Sequence, residues 1–209
     1  MIRVIPLHEH PADSPDYIEP HGAKQDNSTN EEFVTRLLDK QFVSSVLDVG
    51  CAGGGFVESV TNRGAFAVGL EGSDWPRLNK AHAWGRIPGR LFNAHVGAPF
   101  VILVAGKVRL FDAITAWEFL EHLRVDELHA LNVNMHAHAD VGALFIGSVN
   151  LHPDPHGALD YHQTVKPWGW WRAFFEDRGW RLRVDIARSF DGCWVRGGDD
   201  SVNFVFEKR

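Results

Sequence analysis

Two cysteines in 209 residues allow one disulfide at most, and Cys51 lies inside a run of glycines, so a bridge to Cys193 is not what holds this chain together. A reducing compartment is expected. No stretch approaches the roughly 20 apolar residues of a membrane-crossing helix, and the opening MIRVIPLHEHPADSPDYIEPHG has no apolar core of the kind a secretion signal carries. Both absences lead to the expectation of a soluble, cytoplasmic protein. A basic surplus is missing as well: 21 Lys and Arg stand against 27 Asp and Glu, a formal charge of −6. Totals of that sign speak against a broad surface for duplex nucleic acid or anionic lipid, although twelve histidines would offset the charge in mild acid. The sequence has no internal repeat and no low-complexity tract. What remains, 44% hydrophobic, 23% charged and 11% aromatic residues, is the make-up of one globular domain.

Composition changes at about residue 32. Residues 1–32 hold four of the ten prolines and little apolar periodicity, which predicts an arm or lid with no core of its own. Residues 33–209 carry the domain proper. Phe33, Val34, Leu37 and Leu38 recur at helical spacing, with Ser28, Thr29 or Asn30 available as the cap. Short apolar runs then alternate with helical stretches: strands over 45–49, 65–70, 91–93, 113–116 and 143–149, helices over 56–62, 75–84, 125–139 and 167–178. Two final strands, near 181–186 and 202–206, have no helix between them and are expected to pair antiparallel around the loop 192–200. The alternation predicts an α/β fold: a Rossmann-like, doubly wound, mostly parallel sheet with an antiparallel C-terminal hairpin.

In such a sheet ligands gather beyond the carboxyl ends of the strands, at the point where strand order reverses. Two motifs belong there. Val46-Leu47-Asp48-Val49-Gly50-Cys51-Ala52-Gly53-Gly54-Gly55-Phe56 runs from a buried strand through a turn of small residues into a helix, so a ligand can approach the backbone closely. The next strand ends in Glu71, followed by Gly72 and Ser73. An acid at that place can accept both hydroxyls of a ribose, with hydrogen bonds to a charged group worth about 1.5–3 kcal/mol each. Gly50-x-Ala52-x-x-Gly55 with Glu71 also approximates a dinucleotide fingerprint, which keeps an NAD-dependent oxidoreductase in view. Asp48 weighs against it: a carboxylate about 6 Å from a phosphate charge costs roughly 3 kcal/mol at an effective dielectric of 20, whereas beside the ammonium of a methionine moiety it attracts. A Tyr-x-x-x-Lys pair is also missing, as is an Asn-Pro-Pro-Tyr or Asp-Pro-Pro-Tyr motif for a flipped base.

Together with Phe111-Asp112-Ala-Ile-Thr-Ala-Trp117-Glu118-Phe-Leu-Glu121-His122-Leu, these motifs resemble the class I S-adenosylmethionine-dependent methyltransferases, small-molecule type, over residues 33–207. The resemblance implies a seven-stranded sheet with the last strand antiparallel, and S-adenosylmethionine as cofactor. It implies that Asp48, Gly50, Cys51, Ala52 and Gly54 line the methionine part, that Glu71 holds the ribose, and that Gly72 and Ser73 flank adenine. Ala52 stands where the family usually has a second glycine. Ala94-His95 stands where it often presents an acid to the adenine amino group; His95, when neutral, has a lone pair for that bond. Trp117 offers an electron-rich face to the sulfonium, and Lys24 on the arm reaches for the cofactor carboxylate. The arm residues His21, Lys24, Asp26, Asn27 and Asn30 are expected to cover the cleft and exclude water.

Methyl transfer is an in-line displacement, so for a hydroxyl acceptor the protein must align the partners and remove a proton. His162, His152 and His122 are the candidate groups for that step. The first two lie in the loop Leu151-His152-Pro-Asp154-Pro-His156-Gly-Ala-Leu-Asp160-Tyr161-His162-Gln163, which leaves the sheet at its functional edge. A divalent metal held by His152, Asp154, His156, Asp160 or His162 is disfavoured, because metal ligands project from fixed elements and prolines break this run. Trp168 or Trp170 is expected as an acceptor wall, with Trp171, Phe174 and Phe175 as core. His129, His136 and His138 are expected on a helix side that meets water. The partner is then a polar small molecule such as a sugar, a polysaccharide precursor or a natural product, methylated on oxygen. Methylation on nitrogen and a non-catalytic cofactor-binding module are the alternatives, and self-association is left open.

Overall fold

In the computed structural model, residues 1–7, 14–25, 29–156 and 159–209 are described. The strands in chain order are β1 (Ile2–Pro6), β2 (Ser45–Val49), β3 (Phe66–Glu71), β4 (Leu91–Asn93), β5 (Phe100–Val104), β6 (Lys107–Val108), β7 (Phe111–Trp117) and β8 (Ala139–Asn150). A two-residue pair, β9 (Pro155–His156) and β10 (Leu159–Asp160), precedes β11 (Trp180–Leu182) and β12 (Ser201–Lys208). Seven of them form one sheet in the order β11-β12-β8-β7-β2-β3-β4. From β4 across to β8 all pairs are parallel, and β12 runs antiparallel to both its neighbours. Period-two alternation places Leu47, Val49, Val68, Leu70, Ile114 and Phe145 in the core on one face, and Val46, Ala67, Ala113, Ile146 and Val205 in the core on the other. A doubly wound sheet results, as the alternating runs predict.

Helices cover both faces: α1 (Pro15–Ile18), α2 (Glu31–Thr35), α3 (Gly55–Asn62), α4 (Trp75–Leu78), α5 (Val125–His138), α6 (Trp168–Glu176) and α7 (Val184–Arg188). Asn30 is the cap of α2: its Oδ1 accepts from the amides of Glu32 and Phe33 at 3.0 and 3.3 Å. The expected helix over 75–84 is broken into α4 and a 3-10 turn (His82–Gly85), because Lys80 and His82 both adopt left-handed backbone that stops an α-helix. The last two strands do pair antiparallel, but α7 stands between them where strand was expected.

The largest departure is a second sheet. Residues 2–6 are not a coreless arm: β1 pairs along its whole length with β5, and β6 completes a three-stranded antiparallel sheet, order β1-β5-β6. Its hairpin turns on Ala105 and Gly106, both with positive φ, as a two-residue reverse turn requires. His138, expected at the surface, is buried at the end of α5 and accepts from the Ile102 amide at 3.0 Å. Burial pushes that imidazole down to about 4, so it is held neutral.

Candidate active site

Strand order reverses between β2 and β7, and there the carboxyl ends of β2, β3 and β7 open on an elongated cavity holding about 860 Å³ of space, its mouth included. Gly50, Ala52, Glu71, Gly72, His95, Trp117 and His122, all expected at the site, line it. The Gly50 and Cys51 amides both donate to the Leu70 carbonyl, at 2.9 and 3.0 Å, which ties the turn across to β3. Gly50 has φ of +70° and a Cβ there would sit 2.2 Å from the Phe119 ring. Ala52, at φ +43°, takes left-handed backbone that favours glycine.

Glu71 lines the cavity. Its Oε2 accepts from the Ala52 amide at 3.0 Å and its Oε1 from the Ser73 amide at 2.8 Å. Burial pushes this carboxyl up to about 7 against those two bonds. Each oxygen keeps a further lone pair, so a ribose diol can still be accepted. Asp48 lies beneath the turn and does not reach the cavity wall. It is fully buried, its Oδ1 accepts from the Thr115 hydroxyl at 2.6 Å, and its Oδ2 has no partner among the described residues. Burial raises it to about 7 too, with Thr115 opposing and the Glu71 charge adding.

At the far end the arrangement differs from expectation. His95 Nδ1 faces the Tyr17 hydroxyl at 2.8 Å and its Nε2 faces the Glu127 carboxylate at 3.2 Å. A carboxylate accepts, so Nε2 carries hydrogen, and Nδ1 is taken up by the Tyr17 hydroxyl rather than left for an adenine amino group. An acid does reach this end, from α5: Glu127 lines the cavity. Tyr17 itself lies over Gly72, where a Cβ would meet its hydroxyl at 2.3 Å. Burial, reinforced by the charges of Glu71, Glu127 and Asp16, pushes its phenol well above the usual range.

A second, more polar pocket adjoins the first and shares Gly22, Gln25, Glu118, His122 and Arg196 with it. His152, Asp154, Tyr161 and His162 from the loop line it, with Asn150, Asp200 and His21. On the border stands a cluster of Glu121, His122 and His162, whose ligand-capable atoms all lie within 4.8 Å of one another. Glu121 is fully buried; its Oε1 accepts from the Asn150 amide at 2.9 Å and its Oε2 has no partner among the described residues. Burial raises Glu121 to about 7, and His122 rises to about 9, because Asp16 bonds it and the Asp16, Glu121 and Asp154 charges outweigh its burial. His152 stays largely exposed, 3.5 Å from Asp200. His156 and Asp154 pair with each other at 3.1 Å, and Asp160 caps the loop by accepting from the amides of Asp154 and His162. Of the five loop residues weighed as metal ligands, the cluster takes His162.

Other expected residues stand away from the cavity wall. Cys51 and Cys193 are buried free thiols, and the Cys51 sulfur packs toward Gly69. Gly54 caps α3 in left-handed backbone, and Ser73 serves Glu71 through its amide. Lys24 is exposed, and its carbonyl accepts from the His82 ring at 3.2 Å. Trp117 borders the cavity, yet its ring crosses those of Phe33 and Phe56 at steep angles, centroids 5.1 and 5.6 Å away, so most of it is core. Trp168 stacks on Phe204 and Trp170 on Phe174, and neither tryptophan is among the residues lining the two pockets. His8, His10, Asp26, Asn27 and Ser28 lie outside the described residues. Sequence reasoning missed Asp16, Tyr17, Glu127 and Arg196; Asp16-Tyr17 sits in a proline-rich stretch with no periodicity to orient it, and Arg196 in a glycine-rich loop.

Comparison with known proteins adds a family. A model described as a methyltransferase domain matches residues 23–194. The ubiquinone biosynthesis O-methyltransferase of Acinetobacter baumannii (strain ACICU) is 25% identical over 139 residues, which are 58% of this chain and 57% of that protein. The chain thus spans little more than half the length of that relative. Among solved structures, an S-adenosylmethionine-dependent methyltransferase from Clostridium acetobutylicum superposes with a TM-score of 0.63 at 12% identity, covering 89% of this chain and 93% of that one. CalS10, an amino pentose methyltransferase from Micromonospora echinaspora with its methyl donor bound, superposes with a TM-score of 0.59 at 18% identity, covering 97% and 100%. At such identities the structures share the fold.

Proposed function

Since this chain belongs to the methyltransferase-domain family, whose match excludes the oxidoreductase reading, we propose that it transfers the methyl group of S-adenosylmethionine to a hydroxyl of a polar small molecule. The observation that carries this is the pair of joined pockets: one built on backbone turns and Glu71, the other lined by polar side chains, meeting at Glu118 and His122. A two-substrate reaction needs such a junction.

The residues present fit the donor. Gly50 and Ala52 frame the methionine end, Glu71 takes the ribose hydroxyls with its remaining lone pairs, and the His95–Glu127 pair meets the adenine edge. Asp48 acts from below, fixing β7 through Thr115 rather than touching the ligand. When bound, S-adenosylmethionine supplies a methyl group that is already electrophilic because it sits on a sulfonium. The protein therefore has to align the acceptor and lower the cost of losing its proton. The acceptor hydroxyl lies between Glu118 and the Glu121–His122–His162 cluster, while Asn150, Asp154, Tyr161 and Asp200 offer hydrogen bonds to its other polar groups. A polyhydroxylated acceptor suits that lining, and the amino pentose on which CalS10 acts has the same character.

Turnover of labelled donor against a panel of sugars, glycosides and phenols tests the reading, with calorimetry for S-adenosylhomocysteine run alongside. Micromolar product binding and O-methylation of one acceptor class are expected. Absence of product binding would overturn the donor site, and methylation confined to amines would overturn the acceptor atom.

A further inference from the structure

We propose that Glu121, His122 and His162 bind a divalent transition cation at the junction of the two pockets, and that this ion binds the acceptor hydroxyl. The inference rests on the proposed acceptor pocket and deepens it. Two imidazoles and a carboxylate are the ligand set of Mn²⁺, Co²⁺, Fe²⁺ or Zn²⁺ rather than of Mg²⁺, which prefers oxygen alone.

Three observations carry it. First, the three side chains come from separate places, Glu121 and His122 from the turn after β7 and His162 from the loop after β10, and still bring their ligand-capable atoms within 4.8 Å of one another. Ligands about 2.0–2.2 Å from a common ion stand roughly 3–4 Å apart, so only a small contraction separates this arrangement from a loaded one. Second, both imidazoles are already oriented as metal ligands are. His162 Nδ1 donates to the His152 carbonyl, and His122 Nδ1 donates to the Asp16 carboxylate at 3.0 Å. Carbonyl and carboxylate oxygens only accept, so each Nδ1 carries a hydrogen, and Nε2 is the nitrogen that would ligate once the ion has displaced any proton on it. Third, Glu121 Oε2 and Glu118 Oε1 are buried carboxylate oxygens without a partner among the described residues. A carboxylate buried in this way is costly unless a cation or a proton neutralises it.

A hydroxyl oxygen on such an ion gives up its proton more readily. In the proposed step that proton passes to the Glu118 carboxylate, the oxygen bonds the methyl carbon, and the electron pair of the broken sulfur–carbon bond stays on sulfur. Glu118 borders both pockets, and its Oε2 is held by the Ser201 hydroxyl at 2.9 Å. Asp16, from the N-terminal segment, orients one of the three ligands through its bond to His122.

The test uses the full chain, stripped with a chelator and dialysed against Mn²⁺, Co²⁺, Zn²⁺ or Mg²⁺ singly, with metal content measured per chain and Co²⁺ absorption recorded. One Mn²⁺, Co²⁺ or Zn²⁺ per chain is expected, bound at least tenfold more tightly than Mg²⁺, with visible bands showing nitrogen ligands to Co²⁺. His162→Ala and Glu121→Gln should each weaken metal binding at least tenfold while S-adenosylhomocysteine affinity, which also reports folding, changes less than twofold. Absence of stoichiometric metal on the wild-type chain, equal binding by a His162→Ala chain that still binds S-adenosylhomocysteine, or full turnover after stripping would overturn the proposal. Product binding retained in the stripped chain leaves the donor site standing even when the metal site falls.

Discussion

The two joined pockets are built by different means. The cavity proposed for the donor is made at the ends of strands: its turn is pinned by backbone bonds to Leu70, and Glu71 is held by two amides. The pocket proposed for the acceptor is made of loops: His162 is held within its own loop by the His152 carbonyl, and His122 is held by Asp16 from 106 residues away. Backbone-defined sites tolerate sequence change because every residue has an amide; side-chain-defined sites depend on a few named groups. The donor side should therefore yield to loss of Glu71 alone, and the acceptor side to loss of any member of its cluster.

The sharpest break of that contrast comes from His162→Ala, expected to lower turnover about a hundredfold, the scale of losing a group that assists proton removal, while product affinity by calorimetry stays within twofold. Equal loss of both would mean that the pockets are one. Glu71→Ala should do the reverse, weakening product binding at least about tenfold, or about 1.4 kcal/mol. Unchanged affinity would remove Glu71 from the ribose role. A smaller effect separates Asp48 from the ligand. Its folded value near 7 lies above its unfolded value, so the folded chain holds the extra proton and loses stability as pH rises from about 4 to about 7. Relative to wild type, Asp48→Asn should thus gain more than about 1 kcal/mol of unfolding free energy across that window, since a tenfold difference in proton affinity between the folded and unfolded chain is worth about 1.4 kcal/mol; a pH-independent difference would show that Asp48 is ionised throughout. The smallest change is Tyr17→Phe, expected to alter donor affinity by only about two- to fivefold, the range of one neutral hydrogen bond.

Much of the donor side was legible in sequence because it depends on local order. A buried strand, small residues in a turn and an acid ending the next strand are contiguous, and period-two alternation fixes which face they join. The helix start at Asn30, the core roles of Trp171, Phe174 and Phe175, and the antiparallel last strand follow from local rules as well. The small sheet was not legible: β5 and β6 read as loop because their partner β1 lies about a hundred residues away, in a segment without helical periodicity. Trp168 and Trp170 show the opposite failure. Aromatic residues at a helix start suit a ligand or a core equally well, and neighbours on β12 and α6 decide for the core.

Sequence by itself determined the α/β alternation and the two motifs that frame the cavity proposed for the donor, since each is written in consecutive residues. Tertiary structure alone decided where strand order reverses, that Asp48 is buried away from the cavity wall, that Tyr17 pairs with His95 Nδ1, and that Glu121, His122 and His162 converge. Burial and hydrogen-bond direction depend on what packs from elsewhere in the chain, and no local pattern encodes them.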